Sequence, residues 1–406
     1  MRTLAGSLIL GAAATLGAQN SSIGGPSNTP ITIHAATMID GRGREQRDVT
    51  ITVRAGKIEK VDVGVRGGKP TYELGQATLL PGLIDAHTHP GWYINKDGAL
   101  HTNRDGDTPA QSALSRAGNL YATLMAGFTT IQSLGGMEDL DLRDAVNRWQ
   151  IPGPRLITSL GQMSNKNPTP DSLRAIVRNY KRLGADVIKL FASAGLQNGG
   201  EQTLSDEQIG AICGEAKSLG LRSVVHAISA GSVRAATLGG CTEIEHGTFA
   251  TDAELKLMAE HGTIFDPQVC LVFQNYIDHR EVYGKSGYTE ETFKSLGGAI
   301  VPATAMFKRA LVTPGLKLIF GTDAVALAFG RNAEELYCRV GAGQKPMDAI
   351  TTATSATANA LGLGDHLGVI AAGYDADIIA TRGNPGTDIH ALSDVVFVMR
   401  GGVLFR

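Results

Sequence analysis

An apolar run ends in two histidines in the segment Leu79-Leu80-Pro81-Gly82-Leu83-Ile84-Asp85-Ala86-His87-Thr88-His89-Pro90. The residues before the histidines have the length and composition of a buried β-strand. Side chains at positions i and i+2 of a strand point to the same face, so the imidazoles of His87 and His89 are expected to face one point. The segment therefore predicts a strand with two candidate metal ligands at its carboxyl end.

Strand and helix patterns alternate over residues 80–363, which favours a parallel sheet with helical crossovers. The eight candidate strands end near His89, Ser133, Ser159, Ser193, His226, His246, Pro267 and Asp323. Helical patterns lie between them, for example at residues 171–183, 206–219 and 253–261. Eight such units predict an α/β fold of the (β/α)8 TIM-like barrel type, in which the active site lies at the carboxyl ends of the strands.

The two ends of the chain have a different character from the middle. Short β patterns separated by glycine-rich turns occupy residues 31–79, and similar patterns return at residues 364–406. We therefore expect a small β-sandwich domain built from both termini. Residues 19–30 are rich in Ser, Gly, Pro and Asn, which is typical of a flexible lead-in.

The first residues resemble a secretory signal. Met1-Arg2-Thr3 is followed by an apolar stretch from Leu4 to Leu16, with Ala18 as a candidate cleavage point. The pattern predicts a signal peptide over residues 1–18 and an exported protein, periplasmic or secreted. The alternative is an N-terminal helix of a cytoplasmic protein. The apolar stretch is too short for a stable membrane span.

Composition excludes several classes of function. The 406 residues carry a formal net charge of -2 and no basic stripe, so no nucleic-acid partner is expected. The hydrophobic content of 43% is enough for a large core. The four cysteines are widely spaced and form no CxxC pair, so they predict neither a thiolate zinc site nor a disulfide framework. They are Cys213, Cys241, Cys270 and Cys338.

A lysine lies inside another apolar strand pattern, in Asp186-Val187-Ile188-Lys189-Leu190-Phe191. A cation among such neighbours is costly unless it is paired or chemically altered. Carboxylation of the Lys189 amine by carbon dioxide would make it an anion able to bridge two metal ions. The alternative is a lysine whose amine reaches solvent from the strand end.

Four of the ten histidines fall at the ends of candidate strands, and Asp323 ends another. Taken singly, each has an ordinary alternative, such as a buried core histidine or an aspartate that caps the next segment. Taken together they predict a site for two divalent metal ions, and mixed imidazole and oxygen ligands suit zinc best. The predicted metal ligands are His87, His89, Lys189, His226, His246 and Asp323.

Seven motifs in order along the chain resemble the metal-dependent amidohydrolase superfamily. The branch is that of imidazolonepropionase-like proteins and prolidase-like carboxypeptidases, which includes ochratoxin-hydrolysing enzymes. The motifs are Pro81-Gly82-Leu83-Ile84-Asp85-Ala86-His87-Thr88-His89, Ile188-Lys189, His226-Ala227, Glu245-His246-Gly247-Thr248, Gly321-Thr322-Asp323-Ala324, Leu367-Gly368-Val369-Ile370 and Ala372-Gly373-Tyr374-Asp375-Ala376-Asp377.

The resemblance implies a role for each predicted ligand. His87 and His89 would bind the more buried metal ion with Asp323, His226 and His246 would hold the second, and carboxylated Lys189 would bridge the two. Asp323 would also be the catalytic residue that moves the proton. Imidazolonepropionase is usually described with one metal ion and no bridging lysine, so Lys189 favours the two-metal, peptide-cleaving side of the branch. The resemblance also implies a homo-oligomer, of which an octamer is one form.

The predicted reaction is hydrolysis of an amide bond that releases a C-terminal amino acid from a dipeptide or an N-acyl amino acid. An apolar mouth near Phe273, Tyr276 and Phe329 would also suit ochratoxin-type aryl amides of phenylalanine. Two alternatives stay open. One is a cyclic-amide hydrolase or deaminase of the same superfamily, and the other is a barrel that has lost catalysis and acts in binding or assembly.

Loop residues supply the candidates for binding the substrate. Basic and phenolic side chains are suited to gripping a free carboxylate, and His101 and His279 fall in loops expected over the barrel mouth. Phe329 stands where many relatives carry a histidine, which bears on contacts in the last loop. The predicted substrate-binding residues are Tyr276, His279, Arg280 and Arg331.

Overall fold

The computed structural model describes residues 23–65, 68–102, 104–164 and 169–406. The predicted signal peptide lies outside these residues. The described part of the lead-in, residues 23–30, is exposed coil, and the Ile23 N–H donates to the carbonyl of Trp149 at 2.9 Å. Among the described helices, none combines the length and the apolar character that a membrane crossing requires.

The elements alternate between strands and helices through the middle of the chain. The strands are β1 (Ile31–Ile39), β2 (Glu45–Arg54), β3 (Lys57–Val63), β4 (Tyr72–Glu73), β5 (Thr78–Pro81), β6 (Leu83–Thr88), β7 (Phe128–Ser133), β8 (Arg155–Thr158), β9 (Gln162–Met163), β10 (Val187–Phe191), β11 (Arg222–Ser229), β12 (Glu243–Phe249), β13 (Ile264–Asp266), β14 (Lys317–Leu318), β15 (Ile378–Thr381), β16 (Val395–Arg400) and β17 (Val403–Leu404). The helices are α1 (Pro109–Met125), α2 (Asp139–Asn147), α3 (Pro170–Leu183), α4 (Asp206–Ser218), α5 (Ala230–Leu238), α6 (Asp252–His261), α7 (Leu271–Asp278), α8 (Arg280–Lys285), α9 (Glu290–Leu311), α10 (Ala333–Gly341), α11 (Pro346–Thr351) and α12 (Thr357–Ala360), with shorter helical turns at Leu196–Asn198, Thr352–Ala356 and Ile389–Ser393.

Two parallel sheets carry the eight predicted strands. One sheet has the order β6-β7-β8, and the other has the order β14-β13-β12-β11-β10-β9. Backbone hydrogen bonds also link the two sheets, from Asp186 N–H to the Thr158 carbonyl (2.9 Å) and from His89 N–H to the Ala324 carbonyl (2.8 Å). The last predicted strand is shorter than expected, because β14 ends at Leu318 and Asp323 follows it outside regular structure.

The helices begin and end where local chemistry directs them. Helix α3 starts after Thr169, whose hydroxyl accepts from the backbone of Ser172, and it ends at Gly184 with φ of 95°. Helices α4 and α6 open with reciprocal capping boxes. These caps satisfy backbone groups that a helix end leaves without partners. The three predicted helical stretches match α3, α4 and α6 to within one residue at each end.

Both ends of the chain contribute to one sheet, in the order β17-β16-β15-β5-β1-β2-β3 with β4 paired to β1. The described strands of this region thus form a single sheet, and the second layer of the expected sandwich is not confirmed. Strand β5 passes directly into β6 through Gly82. A β-carbon there would lie within 2.0 Å of the Thr129 hydroxyl, so only glycine fits.

The four cysteines form two disulfides, so the expectation that they form no disulfide framework is wrong. Cys213 is bonded to Cys241, and Cys270 is bonded to Cys338, with Cα–Cα distances of 4.9 and 6.1 Å. The sequence separations are 28 and 68 residues. Spacing along the chain gave no signal because each pair is brought together by the packing of separate elements, not by a local motif.

Candidate metal centre

The six predicted metal ligands line one cavity of about 240 Å³. They come from the carboxyl ends of β6, β10, β11 and β12 and from the segment after β14. In parallel strands these ends lie at the same edge of the sheet. Residues that are up to 236 positions apart, His87 and Asp323, therefore share one site.

Two histidines and the aspartate are in direct contact. His87 Nε2 lies 3.3 Å from His89 Nε2 and 3.4 Å from Asp323 Oδ1, and His89 Nε2 lies 3.1 Å from the same Asp323 oxygen. Ligand atoms of His87, His246 and Asp323 all lie within 4.8 Å of one another. The His226 ring centroid is 4.6 Å from that of His246, which brings the fourth histidine to the cluster.

Two of these residues have a left-handed backbone. The φ angle of His246 is 67° and that of Asp323 is 54°. Such angles are uncommon for residues other than glycine and cost about 1–3 kcal/mol. In β12 the left-handed residue interrupts the strand alternation, so that Glu245 contacts His87 while His246 also lines the cavity.

Glu245 is a site residue that the sequence did not single out. Its Oε2 lies 2.5 Å from His87 Nδ1, and both side chains are fully buried. Gln268 Nε2 donates to the same oxygen at 3.2 Å. A carboxylate on one ring nitrogen fixes the orientation of a histidine and directs the other nitrogen toward a metal ion. A signal for Glu245 was present in the sequence, because a second acid, Glu243, lies two positions earlier on the same strand face.

Burial sets the protonation of the histidines. It lowers the pKa of His226 to about 3 and lowers those of His87 and His246 well below the ordinary value. Neutral imidazoles keep a ring nitrogen free to bind a metal ion. Burial alone would raise the pKa of Asp323, but His87 and His89 beside it hold that pKa at about 2. Asp323 is therefore a carboxylate at neutral pH.

Lys189 is 1% exposed, and its amine finds no hydrogen-bond partner within the described residues. Burial lowers the pKa of the amine. The Nδ1 atom of His89 is likewise buried without a described partner. A set of converging imidazoles, one carboxylate and one unpartnered buried amine fits the donors that a pair of divalent ions requires.

The predicted substrate-binding residues divide into two groups. Tyr276 lines the cavity together with Phe273, whereas His279, Arg280 and Arg331 do not, and neither does Phe329. The cavity wall is otherwise mainly apolar and aromatic. Its members include Trp92, Phe191, Leu196, Ile228, Val272, Tyr288, Leu296 and Val325.

The residues that do not line the cavity are engaged with partners of their own. His279 Nδ1 bonds to the Asn275 carbonyl at 2.9 Å, and Arg280 pairs with Glu290 at 3.3 Å. Arg331 pairs with Glu334 at 2.8 Å. None of the three lines the cavity, and a hydrogen bond for His279 and ion pairs for the two arginines engage them elsewhere.

Comparison with known proteins identifies the family of the chain. The amidohydrolase family profile matches residues 78–404. Ochratoxinase of Aspergillus niger is 26% identical over 427 residues, which cover 92% of this chain and 86% of that protein. Imidazolonepropionase of Pseudomonas entomophila (strain L48) is 24% identical over 399 residues, which cover 86% of this chain and 91% of that protein.

Among solved structures, a Xaa-Pro dipeptidase with methionine bound in its active site superposes with a TM-score of 0.82 and 27% identity. The superposition covers 93% of this chain and 100% of the dipeptidase. The family profile spans most of the chain, and members of this family generally use metal ions. The chain belongs to the amidohydrolase family and is a hydrolase that acts on carbon–nitrogen bonds.

Proposed function

We propose that the protein is a two-metal hydrolase that cleaves an amide bond and releases a C-terminal amino acid from a dipeptide or an N-acyl amino acid. One observation carries the proposal: His87, His89, Lys189, His226, His246 and Asp323 converge on one cavity. The ochratoxinase and Xaa-Pro dipeptidase relatives support the choice of an amide substrate.

Two divalent ions, which we propose are zinc, would be held by this set. His87, His89 and Asp323 would hold one ion and His226 and His246 the other, with carboxylated Lys189 between them. When bound, such ions lower the pKa of water toward neutrality and polarise a carbonyl group. Glu245 holds His87 by its Nδ1 atom and so keeps Nε2 turned toward the cavity.

The proton transfer falls to Asp323. Its carboxylate is ionised at neutral pH and can take the proton of the attacking water. It then gives this proton to the amide nitrogen as the carbon–nitrogen bond breaks. An amine is a far better leaving group than an amide anion, so one residue that carries the proton across the reaction is sufficient.

The cavity wall bears on the substrate. Phe191, Phe273, Tyr276 and Tyr288 present aromatic faces to the cavity, which suits an amide with a large apolar or aryl group, such as an ochratoxin-type amide of phenylalanine. Ring centroids of Tyr276 and Tyr288 are 5.4 Å apart in a stacked arrangement, so the two rings pack together in this part of the wall.

The proposal extends to the molecule as a whole. We propose that the two parallel sheets close into one (β/α)8 barrel of residues 80–363, beside a terminal β domain of residues 31–79 and 364–406. Two disulfides are typical of proteins from oxidising compartments, which favours export. A homo-oligomer, an octamer among the alternatives, is part of the same proposal.

A panel of dipeptides and N-acyl amino acids, read by mass spectrometry, tests the reaction. Zinc-loaded protein is expected to release free C-terminal amino acids, with aromatic residues among the preferred ones. Asp323→Asn is expected to keep its metal content and lose about 10²–10⁴-fold in kcat, since the proton carrier is gone. Turnover of cyclic amides or deamination without amino acid release would favour the alternative reaction, and wild-type kcat in Asp323→Asn would contradict the assigned role.

A further inference from the structure

The cavity of the candidate metal centre contains no arginine among its described lining residues, and Lys189 is its one described lysine. A free carboxylate on the substrate needs a cationic or multiple hydrogen-bond partner once it leaves water. The arginines chosen from the sequence, Arg280 and Arg331, are not at this cavity. Tyr276 offers a phenolic donor there, but a cationic partner for a substrate carboxylate, apart from Lys189, would have to come from the space that adjoins this cavity.

A second cavity of about 540 Å³ adjoins the first, and Trp92 and Gln162 line both. Trp92 is close to the candidate ligands. Its backbone N–H donates to the His89 carbonyl at 2.9 Å, and its ring centroid lies 6.1 Å from that of His89. Arg116 and Glu138 line the second cavity. A substrate that extends past Trp92 would meet these two charged side chains.

Of the two charged side chains, that of Arg116 is held in place by its surroundings. Its side chain is 12% exposed, and its guanidinium lies 5.9 Å from the Tyr93 ring centroid. A β-carbon on Gly91, two residues after His89, would lie 3.9 Å from Arg116 Nε. This Nε atom is buried and has no hydrogen-bond partner in the described part of the chain. The cation is therefore held in place with donor capacity left over.

The Glu138 side chain is the one that can leave this ion pair. Its Oε1 lies 2.8 Å from an Arg116 nitrogen, yet its side chain is 42% exposed. Its carboxylate folds back over Gly136, where a β-carbon would lie 2.8 Å from Oε2. An exposed carboxylate can turn into solvent at little cost, whereas the buried arginine cannot. Glu138 thus occupies the position that an incoming carboxylate would take.

Two other acids lie near this pair, and each accepts hydrogen bonds within its own loop, Asp107 from the backbone N–H of Lys96 at 3.4 Å. Asp105 and Asp107 lie with Arg116 and Glu138 on an adjoining surface. Asp105 Oδ2 accepts from Asn95 at 3.0 Å and contacts His101 Nδ1 at 2.7 Å, so its charge is directed into its own loop. The geometry points to Arg116 as the specificity residue that binds the substrate carboxylate, with Glu138 as an internal occupant that the substrate displaces.

This inference rests on the proposed amide hydrolysis, and it predicts how KM depends on the free carboxylate. The test measures kcat and KM for an N-acyl phenylalanine and for its C-terminal amide with zinc-loaded protein. Arg116→Met is expected to raise KM for the acid about tenfold or more and to leave KM for the amide unchanged, because a charge-assisted contact is lost only with the acid. Arg116→Lys is expected to restore part of the difference.

Two further variants complete the test. Glu138→Gln is expected to lower KM for the acid about twofold or more, because it removes the competing carboxylate. Arg174→Met is the matched control, since Arg174 is also a helical arginine paired with an acid, Asp171, at 2.8 Å, but does not line either cavity. It is expected to match wild type.

The outcomes separate the two proposals. Wild type that cleaves neither the acid nor the amide contradicts the proposed function. If wild type cleaves the acid and Arg116→Met changes KM for the acid and the amide equally or not at all, the role of Arg116 is overturned and the proposed function is not. A higher KM for the acid in Glu138→Gln overturns the role of Glu138. Circular dichroism spectra identify a variant that has failed to fold, and Arg116→Lys then carries the comparison.

Discussion

Lys189 is a lysine in an environment that disfavours its charge. Four carboxylates raise the pKa of its amine, yet burial lowers it further than they raise it. These carboxylates belong to Glu243, Glu245, Asp266 and Asp323. A neutral amine is the form that reacts with carbon dioxide, and the product is an anion that two metal ions would stabilise. Burial thus prepares this residue for the modification that the proposed function requires.

Lys189→Ala is expected to lose the metal pair, because the bridge between the two ions is gone. Metal content by inductively coupled plasma mass spectrometry should fall below one ion per chain, and activity should fall with it. Short carboxylic acids are expected to restore part of the activity by filling the vacated space. Lys181→Ala, an exposed lysine of α3, is the control. Full metal content in Lys189→Ala would contradict the bridging role.

The candidate ligands could be predicted because residue types that bind metal ions occur at positions that the two-residue alternation of a strand, or the end of a strand, brings together. Strand alternation places His87 and His89 on one face, and strand ends gather the remainder. Glu245 was not chosen in the same way, because its carboxylate contacts His87 across the site and strand alternation alone does not show which partner a buried acid takes. Arg116 gave no signal either, since an arginine in the middle of a helix is ordinarily solvated.

At the scale of elements, α7 forms one wall of the cavity at the candidate metal centre. It supplies Val272, Phe273 and Tyr276 to the cavity. Its start is held by Glu335, whose carboxylate accepts the backbone N–H groups of the residues at the helix entrance at 2.6–3.1 Å. The Cys270–Cys338 disulfide joins the same point to α10. The wall is thus held by a charge and a covalent bond.

Removing the Cys270–Cys338 disulfide by Cys270→Ser/Cys338→Ser is expected to cost about 2–4 kcal/mol of unfolding free energy. It should also raise KM, because α7 loses the covalent link at its start while the candidate metal ligands are untouched. The double variant Cys213→Ser/Cys241→Ser is the control, since it lowers stability away from the cavity. Urea unfolding and steady-state kinetics measure the two effects. An unchanged KM in the first variant would contradict a role of this disulfide in holding the wall.

Elements with regular patterns were the ones the sequence predicted. Helices α3, α4 and α6 follow from their caps and periodicity, and seven of the eight strand ends fall within three residues of the observed ones. The loops were predicted less well, because side-chain direction there depends on contacts between distant residues. Arg331 shows this, since Glu334 and Asp278 hold its guanidinium.

At the scale of the whole molecule, the candidate metal centre joins residues from both parallel sheets. Ions bound there would stabilise the folded state over the unfolded chain by mass action. Removal of metal by a chelator is expected to lower the unfolding free energy by about 4 kcal/mol when free metal had stood at 1,000 times its Kd. Zinc added back should restore both the Tm and the activity. A Tm that chelation leaves unchanged would contradict a metal centre at this position.

The candidate ligands and the wall of the cavity come from different kinds of structural element. The candidate ligands come from strand ends and the segment after β14, while the wall of the cavity comes largely from α7, its neighbours and the turn at Leu196–Asn198. Mutations in the wall can therefore accumulate without disturbing the chemistry. For directed evolution, libraries confined to positions 272, 273, 276 and 288 would vary the cavity wall while every variant keeps all six candidate metal ligands.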